Sequence, residues 1–155
     1  DELPVTRPSF NRSRSKTVSK LDFCLIQDNM IRCVCANIIA HIQKCENDHY
    51  IPPEEYKIFN KESGSLDYSL DSVSFVFTTV HRQAQMEFEC IVIALIYLER
   101  IPRLTNKKLR ICALNWRYLL FICMMLSSKI WDDFSMINAD YSTIFSNLPL
   151  EKINL

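Results

Sequence analysis

The chain has 155 residues, with 18 basic against 18 acidic side chains and a single glycine. That length fits one domain with a sizeable core, and a net charge of zero argues against a nucleic-acid partner held mainly by phosphate neutralisation. One glycine, Gly64, cannot build a dinucleotide fingerprint or a P-loop, so nucleotide-dependent catalysis is close to excluded and a protein is the expected partner.

Residues 1–20 interleave Ser9, Ser13, Ser15 and Ser19 with Arg7, Arg12, Arg14, Lys16 and Lys20, and carry almost nothing apolar after Phe10. Such a segment cannot bury enough surface to offset its ordering entropy, and reads as a flexible arm. Residues 21–155 are expected to form the folded domain. Over residues 27–45, Met30, Val34, Ile38 and Ile42 recur every fourth residue, with Ile31, Cys35 and Ile39 widening the stripe, which predicts an amphipathic helix. Residues 46–70 place Pro52, Pro53, Asn60, Ser63 and Gly64 among charges, a long loop with Tyr50, Ile51, Tyr56, Ile58 and Phe59 as apolar anchors. In Ser72–Val80 two signals conflict: β-branched and aromatic residues favour a strand, whereas Val73, Val76, Phe77 and Val80 keep helical spacing.

Two dense apolar segments follow, Met86–Ile101 and Leu114–Asp133. Each has an uncharged centre, Cys90–Leu98 and Tyr118–Leu126, flanked by charge. Both fall well short of the roughly 18 to 20 apolar residues that span a bilayer, and both are expected as helices buried nearly all round. Pro102 is expected to stop the first. Thr105–Arg110 is a basic connector, and the helix at 114–130 should be the central one. Ala139–Ser146 predicts a short helix. Asn147–Glu151 reads as the start of another, with Pro149 suited to its first turn. A chain that opens on Asp1 and stops at Leu155 reads as a fragment or a shortened form.

The words YLERI, then NWRYLLFICMMLSSKIWDDFSMINADY, closely resemble the cyclin box, and within it the cyclin Y branch, whose members read much like YLERL, ANW, LASKVWDD and N-x-DY. Upstream, Ile31-Arg32-Cys33-Val34 and His41-Ile42 look like the IKCV and HI of the helix before that box. The resemblance runs from about Ile31 to Leu155 and is strongest over Glu89–Tyr141. It implies an all-α cyclin-box bundle over residues 71–155, incomplete at its C-terminus, and it favours the helix for Ser72–Val80. The implied role is a non-catalytic regulatory subunit that binds and activates a cyclin-dependent kinase of the PFTAIRE/PCTAIRE type. The alternatives are a degenerate cyclin-box adaptor without activating ability, or a TFIIB-type transcription adaptor, which would want a more basic helical face. No cofactor is implied.

Lys129 matches the cyclin-box lysine that contacts the kinase near its mobile helix, although a cation at a helix C-terminus is favoured by the macrodipole alone. The glutamate that usually pairs with it would lie beyond Leu155. Trp131 and Asp132, of the WDD word, complete the expected contact set. A tryptophan at a helix end is more often a core lid, and adjacent acids are ordinarily solvated. Glu99 and Arg100 stand where cyclins keep an acid paired to an arginine of the first box helix, and that pair is expected to be absent or shifted. Ser15, three residues after Arg12, is the candidate phosphosite, resembling a site for 14-3-3 proteins; a plainly solvating tail is the commoner use of such a composition.

Seven cysteines, an odd number, fall mostly inside apolar helical stretches, which suits a reducing compartment. With no signal peptide and no lipid-accepting glycine, an intracellular site, cytoplasmic or nuclear, is expected without a membrane anchor. Cys33 and Cys35 face different directions on a helix and cannot share one zinc ion, so no metal site is expected. His41, His49 and His81 lie outside any catalytic context, and no catalytic residue is expected.

Overall fold

A computed structural model describes residues 20–60, 66–144 and 150–154. They form α1 (Lys20–Asn47), a 3₁₀ turn (Glu54–Phe59), α2 (Leu70–Gln83), α3 (Glu89–Leu104), α4 (Trp116–Trp131), α5 (Asn138–Ile144) and α6 (Leu150–Ile153). The protein is an all-helical bundle, and no strand occurs among the described residues. The arm at 1–19 with Ser15, and Pro149, lie outside them.

The α1 helix buries Val34, Cys35, Ile38, Ile42 and Cys45 against α2 and α3, the stripe the periodicity predicts. It starts at Lys20 rather than Gln27. In α2 the conflict between propensity and spacing resolves as a helix, because Val73, Val76, Phe77 and Val80 share one face that is buried between α1 and α4. Burial of that face outweighs a propensity difference of under about 1 kcal/mol per residue. The Ser69 hydroxyl caps α2 by accepting the Ser72 N–H at 3.3 Å.

Three expectations are corrected. Pro102 does not stop α3, which runs on to Leu104. A proline in the last turn forfeits one internal hydrogen bond but leaves few later turns to disrupt. Nor is α3 buried all round: Cys90, Ile91, Ala94 and Leu98 face the core, while Val92 and Ile96 stand about two-fifths exposed at 42% and 41%. In the loop, Ile51 is 82% exposed and anchors nothing, whereas Tyr56 and Phe59 pack against the core.

With so little glycine, three helices end on other residues held at positive φ. His49 after α1 (φ 50°), Gln85 after α2 (φ 51°) and Asn106 after α3 (φ 50°) each occupy the left-handed position of a Schellman motif. The paired bonds are present in each case, such as Met86 N–H to His81 O at 3.1 Å and Gln85 N–H to Arg82 O at 3.2 Å.

At the centre lies α4, with Trp116, Leu120, Phe121 and Met124 almost wholly buried. Phe121 meets Tyr141 of α5 edge-on, the ring centres 6.0 Å apart at 81°. Asn115, buried ahead of α4, accepts the Cys112 N–H at 2.8 Å and donates to Arg110 O at 2.9 Å, which fixes the connector to the helix. One flank of α4 stays open. Ile122 and Leu126 border an apolar groove of about 390 Å³ with Tyr97, Ile101 and Leu104 of α3 and Phe59 of the 3₁₀ turn. Of the described cysteines, Cys35, Cys45, Cys90, Cys112 and Cys123 are buried free thiols, and Cys33 is exposed.

Candidate partner-binding surface at the end of α4

The last turn of α4 and the segment after it gather the residues the sequence singled out. Lys129 is exposed. Its Nζ donates to Met136 O at 2.8 Å and sits 5.6 Å from the centre of the buried Tyr141 ring. An ammonium has three N–H bonds, and this arrangement fixes the group in place while leaving donors toward solvent. Burial raises the Tyr141 phenol above its ordinary range, so the ring faces Lys129 as a neutral π-surface.

Trp131 is 51% exposed and is not a lid on the core. It belongs to a cluster the sequence reading missed: Ile130, Phe134 and Ile137 are also more than half exposed, Phe134 at 98%. The usable signal was the density of large apolar residues just past the helix end, where nothing remained for them to pack on. An open recess of about 860 Å³ adjoins them, lined by Gln85, Glu87, Trp131, Asp132, Phe134 and Met136. Apolar side chains this exposed, rimmed by polar groups, are the composition of an interface.

Asp132 is employed differently from the solvated acid the sequence suggested. Its N–H closes α4 on Ser128 O at 2.9 Å. One carboxylate oxygen accepts the Glu87 N–H at 3.1 Å and the Cys90 thiol at 3.3 Å, and the other accepts the Ser128 hydroxyl. A carboxylate at the N-terminus of α3 also complements that helix's dipole. Asp132 therefore staples the end of α4 to the start of α3. Burial, reinforced by the neighbouring carboxylate, pushes the Cys90 thiol up to about 12, which keeps it a protonated donor. Asp133, next in sequence, is exposed.

His81, in the last turn of α2, lies near this staple. Its Nε2 is buried without a hydrogen-bond partner among the described groups. Burial lowers its pKa below the ordinary value, helped by Arg82 and opposed by Asp132. Glu99 makes no ion pair among the described residues, so the expected internal salt bridge is not formed there. No group of three His, Cys, Asp or Glu among the described residues could hold a metal ion, and no described helix is long and apolar enough to cross a membrane.

A five-helix run in which a central apolar helix ends in an exposed lysine beside an apolar cluster defines a regulatory binding module. The family model of cyclins matches residues 25–154, and the chain belongs to the cyclin family. No solved structure matches it. Cyclins are a non-catalytic regulatory class, so the coarse role is cyclin-like regulation with a kinase as the general partner.

Proposed function

We propose that the chain is a cyclin of the cyclin Y branch, whose residues from about 21 onward form the kinase-regulating domain and whose partner is a cyclin-dependent kinase of the PFTAIRE/PCTAIRE type. The observation that carries this is the pairing of a fixed, exposed Lys129 with the apolar cluster of Ile130, Trp131, Phe134 and Ile137. Apolar area supplies affinity on docking, and a cation held in place supplies orientation. Docking beside the kinase's mobile helix would activate by binding the active position better than the inactive one. Asp132 supports this surface from behind instead of touching the partner. Ser15 on the arm is the proposed phosphosite for a 14-3-3 protein, and the cytoplasm or nucleus the proposed setting.

The open groove beside Ile122 and Leu126 favours a second reading, an adaptor that binds the kinase without activating it. Co-precipitation and kinase activity assays with the purified partner separate the two. Lys129→Glu is expected to cut binding at least tenfold while the helical circular dichroism stays unchanged. Kinase capture unaltered by that change removes the contact, and capture by the unmodified chain without activation selects the adaptor.

A further inference from the structure

At the opposite end of the α3–α4 pair lies a cleft of about 510 Å³ between the C-terminal turns of α1 and α3 and the connector before α4. Lys44 of α1, Arg103 of α3 and Lys107 of the turn line it, and none of the three forms an ion pair among the described residues. His41, one turn before Lys44, completes the wall. Arg110 also reaches the cleft but is engaged, with its guanidinium 2.6 Å from Asp48 and 5.2 Å from the centre of the Tyr50 ring.

The helix macrodipole accounts for a cation in the last turn of α1, and separately for one in the last turn of α3. It does not account for their convergence on one recess, nor for Lys107. That lysine stands at φ 64°, directly after Asn106 at φ 50°, with its N–H tied to Pro102 O at 2.6 Å. Two successive non-glycine residues in the left-handed region cost about 1–2 kcal/mol each. Here the conformation brings Lys107 onto the cleft wall facing Lys44 and Arg103.

Three unpaired cations from three segments, one with the planar fork that grips phosphate oxygens in pairs, match a compact dianion. Acids on the rim restrict what can carry it. Asp48 and Glu99 line the cleft, and Glu55 lies nearby, 3.6 Å from Lys108. An extended nucleic-acid backbone or an anionic membrane would meet those carboxylates, whereas a single phosphate on a narrow stalk avoids them. The buried Ile111 and half-buried Pro102 offer apolar footing for the flanking chain.

We infer that this cleft binds a phosphate monoester carried on a peptide, a phosphoserine or phosphothreonine of a partner protein. By helix length it lies about 24 Å from Lys129, so both ends can be occupied together. The inference stands whether or not the α4 surface binds a kinase.

The test is fluorescence anisotropy of the full chain with a labelled pentapeptide of alanines centred on phosphoserine, against its unphosphorylated twin, a single-stranded oligonucleotide and vesicles containing a phosphoinositide. Saturable binding of the phosphopeptide alone is expected. Arg103→Gln and Lys107→Gln should each weaken it about two- to fivefold, their combination more than either, and Glu99→Gln should tighten it. Should Lys107→Gln disturb the turn, Lys44→Gln on α1 gives an independent reading. The inference is overturned by no saturation up to about 10 mM peptide, by tighter binding of oligonucleotide or vesicles, or by binding indifferent to the paired variant.

Discussion

Helices α3 and α4 have the same length, 16 residues, and each carries an uncharged centre. Their environments differ. Apart from the open side of Ile122 and Leu126, α4 is surrounded, by α3 and α2 directly and by Tyr141 of α5. In α3 one face meets the core, and Val92 and Ile96 remain in solvent. A run of apolar residues thus records that a helix is packed, and its neighbours decide on how many sides.

The largest expected effect breaks this comparison directly. Phe121→Ala, in a fully buried site on α4, should cost about 3–5 kcal/mol by urea unfolding, and Ile96→Ala on the exposed side of α3 about 0.5 kcal/mol or less. Comparable losses at both positions would mean that α3 is covered on a second side.

Next in size comes the staple between the two helices. Asp132→Ala removes acceptors from the Glu87 N–H, the Cys90 thiol and the Ser128 hydroxyl, and should cost about 2 kcal/mol. Asp133→Ala, an exposed neighbour, should stay within about 0.5 kcal/mol. Equal costs for the two acids, measured by the same unfolding curves, would place both in solvent.

The smallest effect is a pH dependence at the α2 end of the same corner. His81 is held neutral by burial, so its folded-state pKa lies below the ordinary value of 6.5. Stability is then fully present above that value and is lost as pH falls from 6.5 toward the lowered pKa, because the unfolded chain takes up the proton first. The melting temperature should fall between about pH 7.5 and pH 5.5, and His81→Gln should flatten that slope. Asp132→Ala should steepen it, since that carboxylate opposes the shift.

Much of the architecture was legible in the residues. The fourfold recurrence from Met30 to Ile42, the helical spacing of Val73 to Val80 and the uncharged stretch Tyr118–Leu126 placed α1, α2 and α4. Lys129 and Trp131 were found as words of a family, and the structure shows both exposed. Asp132 could not be read in its role, because its partners Glu87 and Cys90 lie more than forty residues upstream. The continuation of α3 through Pro102 escaped the sequence for a related reason. Local rules give the cost of a proline, whereas the Schellman turn that closes the helix beyond it depends on how the connector folds back.

The sequence by itself determined that the chain is helical, which faces are apolar and which family it belongs to, since these are local or near-local properties of side-chain periodicity and wording. Only the tertiary structure decided which apolar residues stay exposed and which acid turns inward. It alone brought Lys44, Arg103 and Lys107 to one cleft, because each of these outcomes depends on distances between segments far apart along the chain.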